Sequence, residues 1–235
     1  MKKARKRKRL RILTVDVGGT HVKFEVSGHT QRREFTSGPK LSAQQMVATV
    51  VRMTEDWSYD VVSIGYPGVV LRDRIIAEPH NLGRGWRGFD FARAFGCPVK
   101  IVNDAVMQAL GSYHGGRMLF LGLGTGLGTA MIIDGVIAPM ELAHLPYRNG
   151  KTFESYVGAA GLRRLGRTKW RKHVAEVVAR LTAALEPEHV VLGGGNAKKL
   201  GKKLPPQARI VKNDNAFAGG YKLWNASAER PTRRV

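Results

Sequence analysis

The sequence is poor in acids and nearly without cysteine. Its 235 residues hold 18 Asp+Glu against 39 Lys+Arg, and a single cysteine, Cys97. One thiol excludes an intrachain disulfide and any structural zinc site built on cysteines. No apolar run approaches the roughly 20 residues that cross a bilayer, so no membrane span is expected. No apolar stretch follows the basic start as a secretory signal requires, so a cytoplasmic location is expected. No G-x-x-x-x-G-K-[ST] phosphate loop occurs either. What is present suffices for an ordinary core. Hydrophobic residues make up 43% and charged residues 24%, in a length that suits one large domain or two small lobes.

The excess of base sets the choice of partner. The formal charge is +21, and residues 1–11 supply eight of the bases: Lys2, Lys3, Arg5, Lys6, Arg7, Lys8, Arg9 and Arg11. The rest of the chain still carries +13. Such a balance favours a polyanion: nucleic acid, a membrane surface or inorganic polyphosphate. Residues 1–10 read as a basic disordered tail, or simply as a solubilising one. Two further clusters stand out. Arg163, Arg164, Arg167, Lys169, Arg171 and Lys172 fall within ten residues with no acid among them, and Lys198, Lys199, Lys202 and Lys203 follow a glycine turn. They border a polyanion groove or are solvated helix faces.

Hydropathy predicts a buried strand over 11–17, a Gly18-Gly19-Thr20 turn and a second strand at His21–Val26, making a hairpin. A helix is expected over 41–56, where Met46, Val47, Val50 and Met53 keep helical spacing. Then come a strand at 60–65, a Tyr66-Pro67-Gly68 turn, a loop at 78–88, a helix at 90–95 and a strand at 99–102. That strand ends on Asn103-Asp104, before a helix at 105–113. The pattern then restarts with a strand at 118–123, a Gly/Thr turn at 124–129 and a strand at 130–133. A helix over 169–185, a strand at 189–192, Gly193-Gly194-Gly195, a helix at 196–201 and a last helix from near Asn215 complete the pattern. Strand, Gly/Thr turn, strand thus occurs twice, half a chain apart. The expectation is an α/β protein of two lobes, 11–104 and 105–235, with a cleft between them.

Gly/Thr turns suit anions, because backbone N–H groups converge where no Cβ intervenes. They also make tight hairpins. Asp16 before the first turn would repel phosphate unless Mg²⁺ lies between them. Asn103-Asp104 sits at a strand end, where α/β proteins place ligands. Phosphoryl transfer to an alcohol needs a carboxylate to take the hydroxyl proton, and Asp104 is suitable; it would equally serve as a helix N-cap. Glu141, His144, Glu154 and Asn103 could form a polar lattice for sugar hydroxyls, or be loop residues in solvent. Gly193-Gly194-Gly195 lets a ligand approach the backbone, or is a packing turn.

Taken in order, LTVDVGGTHVKF, IGYPGVV, HNLGRGW, VKIVNDA, LGLGTGLGTAMIIDG, ELAHL, VVLGGGNAKKL and NDNAFAGG resemble the ROK family of sugar kinases. That family lies in the actin/hexokinase/Hsp70-like superfamily, and the polyphosphate glucokinase branch is the most similar. The resemblance implies a two-lobed RNase H-like (actin-like ATPase) fold with a duplicated mixed sheet. It implies Mg²⁺-assisted transfer from inorganic polyphosphate or ATP to the 6-hydroxyl of glucose or a similar hexose. Asp104 matches the catalytic base. Asn103, Glu141, His144 and Glu154 match hexose-binding positions, and Pro67, Gly68 and Asn81 fall on sugar-pocket loops. Asp16, Gly18, Gly19 and Thr20, with Lys23 nearby, match the phosphate-1 turn, Asp16 holding Mg²⁺ through water. Gly124, Thr125 and Gly126 match phosphate-2, and Gly193, Gly194 and Gly195 the donor region. A homodimer is implied too. The chain departs from the family at Ala143, where E-x-G-H has glycine, and lacks the Cys-rich zinc motif of many members.

The alternative is a sugar-responsive, non-catalytic sensor or regulator with nonspecific polyanion binding. Regulators of this family carry a helix-turn-helix domain ahead of the sugar fold. About ten residues precede the first strand here, too few for one, so no specific nucleic-acid partner is expected. The presence of Asp16, Asp104, Glu141 and His144 favours catalysis.

Overall fold

An uninterrupted run of aliphatic residues makes β1 (Ile12–Val17) a central strand, with Ile12, Leu13, Val15 and Val17 all buried. It pairs antiparallel with β2 (His21–Val26) and parallel with β4 (Val61–Tyr66), so both its edges are satisfied and both its faces covered. β2 alternates instead, burying Val22, Phe24 and Val26. With β3 (Arg33–Thr36) and β7 (Val99–Asn103) the sheet runs β3-β2-β1-β4-β7, while β5 (Val70–Leu71) and β6 (Arg74–Ile75) form a separate small hairpin. α1 (Ala43–Met53) starts at a capping box in which Ser42 and Gln45 satisfy each other's backbone N–H, and it buries Ala43, Met46, Val47 and Val50. α2 (Phe91–Phe95) is capped by Asp90 and stopped by Gly96 at φ 69°.

The plan is repeated. β8 (Arg117–Leu123), β9 (Leu127–Ile133), β10 (Val136–Pro139), β11 (His189–Gly193) and β12 (Ala208–Ile210) give the order β10-β9-β8-β11-β12. Here β8 pairs antiparallel with β9 and parallel with β11, as β1 does with β2 and β4. The helices are α3 (Asp104–Ser112), α4 (Phe153–Val157), α5 (Ala159–Leu185) and α6 (Asn215–Asn225). α5 buries Trp170, whose indole N–H donates to Val157 O at 2.8 Å and ties α5 to α4. The chain divides into two compact units between Val102 and Asn103, so Asn103 and Asp104 fall with the second. The computed structural model describes residues 10–201, 204–211 and 215–225. The basic tail up to Arg9, Lys202, Lys203, Asn213 and Asp214 lie outside the described residues. Among the described residues no helix is long and apolar enough to cross a membrane.

Several expectations are corrected. The 124–129 turn is shorter, because β9 already begins at Leu127; Gly128 and Thr129 are ladder residues paired with Gly122 and Leu121. The helix expected over 169–185 is preceded by a further helical stretch from Ala159, the two meeting at a kink at Gly166, at φ 72° and ψ 162°. The helix at 196–201 is a short 3-10 turn, Ala197–Leu200. β3, β5, β6, β10 and β12 have two to four residues each, too short for a hydropathy pattern.

Glu176 on α5 accepts from Arg148 at 2.6 Å and Arg180 at 2.8 Å. The hydrogen bond from Arg148, then that from Tyr147, hold its carboxyl down to about 2. A depressed carboxylate stabilises the fold above its unfolded value near 4.5, and that contribution is lost as pH falls toward 2. Glu176→Gln is therefore expected to lower thermal stability at pH 7 by a small amount and to flatten its loss between those pH values. Melting curves at pH 7, 4.5 and 3 check this; parallel loss in both proteins contradicts it.

Candidate active site

The first turn is built by glycine. Gly18 N donates to His21 O at 3.0 Å, and a Cβ on Gly18 would sit 2.9 Å from that same oxygen. Ser37 fastens the turn from β3, its hydroxyl donating to Gly18 O at 2.6 Å and its N–H to Thr20 O at 2.9 Å. Gly19 and Thr20 are exposed. Asp16, half-buried, lies opposite Lys23 in the ladder. Burial pushes its carboxyl up to about 6, against the opposing pull of Lys23 and then Arg32. A carboxylate raised by desolvation is stabilised by a cation. Among the described residues no group of three or more His, Cys, Asp or Glu side chains could hold a metal. One carboxylate beside an exposed turn suits Mg²⁺ that keeps its waters and shares phosphate oxygens, and does not suit an all-protein metal cage. Asn81 belongs to the same neighbourhood: a Cβ on Gly19 would lie 3.4 Å from Asn81 Cβ. Pro67 and Gly68 follow β4, where a Cβ on Gly68 would lie 2.7 Å from the Tyr66 ring. That ring is held by its hydroxyl, which donates to Ala77 O at 2.9 Å.

The second turn, Gly124-Thr125-Gly126, is held from three sides. Asn196 donates its Nδ2 to Gly124 O at 2.9 Å and its N–H to Leu123 O at 2.9 Å. Ala159 N, at the start of α5, donates to Thr125 O at 3.0 Å. Glu154 of α4 accepts from Leu127 N at 3.1 Å, and a Cβ on Gly126 would run into its carboxylate. Gly194, at φ 81°, lets the Gly193-Gly194-Gly195 turn lie on the Leu123 backbone, 2.5 Å from its oxygen to where a Cβ would stand. Gly193 faces the Phe120 ring and Gly195 open space. The second turn, Glu154 and the triple glycine are thus one assembly.

Asn103 and Asp104 join it through α3. Gly128 of β9 packs on Ala105, with 2.7 Å between a Cβ there and the alanine methyl. Asn103 is the N-cap, its Oδ1 accepting from Ala105 N at 2.9 Å and Val106 N at 3.4 Å. Asp104 is the first helical residue and also accepts from Ala105 N, at 2.8 Å. The cap reading therefore belongs to its neighbour.

Glu141 precedes a 3-10 turn, Leu142–His144, that ends on His144; the two side chains are 3.8 Å apart and 62% and 70% exposed. Thr129 ties this segment to β9, donating to Met140 O at 2.7 Å and accepting from Leu142 N at 3.2 Å. Ala143 is buried in the core, which accommodates its methyl group. The structure does not bring the Glu141–His144 pair into hydrogen-bond contact with Glu154 among the described interactions.

The two basic clusters meet. Arg167 and Arg171 both donate through Nε to Lys199 O, at 2.7 and 2.8 Å. Arg163, Lys172 and Lys198 are exposed beside them. Sequence reasoning missed Ser37, Thr129 and Asn196, the residues that fasten the turns. For Asn196 a signal existed: an amide side chain following three glycines at a strand end.

Two mixed sheets of the same order, each opening on a glycine hairpin, define an α/β fold of the actin-like ATPase kind. The chain belongs to the ROK family, whose sequence profile matches residues 12–139, just over half of it. It is similar to the polyphosphate glucokinase of Mycobacterium tuberculosis strain H37Rv, 26% identical over 213 residues spanning 81% of this chain and 80% of that one. It is also similar to a glucokinase of Pyrobaculum calidifontis, 27% identical, covering 71% of this chain and 74% of that one. Among solved structures, the inorganic polyphosphate/ATP-glucomannokinase of Arthrobacter sp. strain KM superposes with a TM-score of 0.79 at 21% identity. That match covers 93% of this chain and 99% of that one.

Proposed function

We propose that the protein is a sugar kinase that moves a phosphoryl group from inorganic polyphosphate or ATP to the 6-hydroxyl of glucose or a closely similar hexose. The observation that carries this is Asp104: a carboxylate at the start of α3 whose capping duty is already met by Asn103. Asp104 takes the proton of the sugar hydroxyl as its oxygen bonds to phosphorus, and the donor leaves with the electrons of the broken P–O bond. Asn103, Glu141, His144 and Glu154, with Pro67, Gly68 and Asn81, orient the sugar. Gly18 and Gly124 shape the two turns with their own N–H groups, the N–H groups of Gly19, Thr20, Thr125 and Gly126 receive donor oxygens, and Gly193–Gly195 lines the donor side. Mg²⁺, when bound at Asp16 through water, offsets phosphate charge. The names of the M. tuberculosis and Arthrobacter proteins support polyphosphate as a donor, as does the junction of the two basic clusters.

The test is sugar-phosphate formation with Mg²⁺ and glucose, with ATP and long-chain polyphosphate as separate donors. Turnover is expected with at least one; none with either donor and any hexose defeats the proposal. Changing Arg163, Lys172 and Lys198 together to Glu is expected to raise KM for long polyphosphate about tenfold or more, while KM for ATP stays within about twofold. Equal effects on both donors return the clusters to solvated surface.

A further inference from the structure

One cluster joins three elements that this reading leaves unused. The loop at 145–152 separates Glu141 and His144 from Glu154. It is folded on itself: Tyr147 N donates to Lys151 O at 2.8 Å, Lys151 N to Arg148 O at 2.9 Å and Phe153 N to Leu145 O at 3.1 Å. From this loop the Tyr147 hydroxyl reaches α5, 2.9 Å from His173 Nδ1. The rings of Tyr147, Tyr156 and His173 lie together, with centroids 4.8–5.7 Å apart. Arg148 and Arg180 sit over the Tyr147 face at 5.3 and 5.2 Å, and Arg164 over Tyr156 at 5.3 Å.

The Tyr147–His173 contact is closed by one hydrogen, carried by the phenol or by Nδ1 according to the imidazole tautomer. Loop, α4 and α5 are thereby joined through Tyr147, Tyr156 and His173. α4 has five residues, too few to hold a helix unaided. Phe153, Tyr156 and Val157 are its buried face, and Glu154 reaches away to Leu127 N.

We propose that Tyr147 and His173 are positioning residues of the sugar site, locking the loop and α4 so that Glu154 stays against the Gly126 turn. This rests on the reading of Glu141, His144 and Glu154 as sugar-binding groups. His173 is faced by Tyr147 and Arg148 from the loop, Tyr156 from α4, and Arg164 and Glu176 from its own helix. Burial, then Arg148, and more weakly Arg164 disfavour its protonation, while Glu176 favours it. The imidazole therefore stays neutral down to pH values below its ordinary 6.5.

Tyr147→Phe and His173→Phe keep the rings and remove the hydrogen bond, whereas His173→Asn keeps an amide near the place of Nδ1 that can donate or accept. The two Phe variants are expected to raise KM for the sugar about three- to tenfold. In both, kcat and the donor KM should stay within about twofold, and His173→Asn should recover most of the loss. A merely structural cluster would lower the melting temperature of the variants without separating KM from kcat, and that result overturns the proposal. So does a His173→Asn variant no better than His173→Phe. A wild-type protein that phosphorylates no hexose defeats the kinase reading and this inference together, which sets that outcome apart from an unchanged sugar KM in an active Tyr147→Phe variant.

Discussion

Asp104→Asn is expected to lower kcat by about 10²–10⁴-fold, the contribution typical of a general base. The structure makes this a clean substitution. The Asp104 carboxylate accepts from Ala105 N at 2.8 Å, and an asparagine oxygen in the same place still accepts. Asn103 continues to cap the helix. Removing a negative charge from the first turn of α3 costs about 0.3–1 kcal/mol of stability, so the melting temperature should move by only a few degrees. KM for both substrates should change little, because the lost interaction belongs to the proton transfer and not to binding. Steady-state kinetics beside a melting curve decides the matter. A variant with near wild-type kcat would remove Asp104 from the mechanism, and one that fails to fold would contradict the capping geometry.

The largest effect on stability is expected where α3 crosses α6. A Cβ on Gly219 would land on the Met107 carbonyl oxygen, with the Met107 carbon at 2.8 Å and Gly111 N at 2.9 Å. A Cβ on Gly111 would land on the Asn215 carbonyl, 2.6 Å from its carbon. The obstacles are backbone atoms, which cannot swing aside as a side chain would. Gly219→Ala must push the helices apart and is expected to cost about 3 kcal/mol or more. In a protein of this size that is a fall of about 6–12 °C in Tm. Gly38→Ala is the control, since nothing lies within 4 Å of its Cβ position and its φ is not positive. Gly219→Ala melting with the wild type would show that the two helices do not pack this closely in solution.

Much of the fold is legible in the sequence wherever burial is two-sided. β1, β4, β8 and β11 are runs of aliphatic residues flanked by paired neighbours, and such runs have few other uses. Of the edge strands β7 is legible, whereas β3, β10 and β12 are not. β3 reads Arg-Glu-Phe-Thr with only partial burial, and nothing in four such residues distinguishes a strand from a loop. Only the opening stretch of α5 is hidden, since Gly166 resets the phase between it and the helix read over 169–185. In the candidate site, local spacing marks Asp104 and the glycine turns only as strand-end and turn residues, and their proposed roles come from the family resemblance. The groups that hold them are not marked in this way, because their partners are remote: Asn196 meets Gly124 across 72 residues, and Tyr147 meets His173 across 26.

The packing of α3 also constrains the order in which the protein becomes active during its synthesis. Lys222 on α6 donates to Leu110 O at 3.0 Å and Tyr113 O at 2.8 Å, and Asn215 donates to Ser112 Oγ at 2.8 Å. These contacts span 103 to 112 residues. At about 5–20 residues per second, the ribosome delivers the cover for α3 roughly 5–20 s after the helix itself. During that interval the apolar face of α3 is a target for chaperones, and its last carbonyls are left to water. An interrupted nascent chain therefore carries Asp104 on a helix that lacks its α6 cover, and competence arrives late, when translation has passed α6.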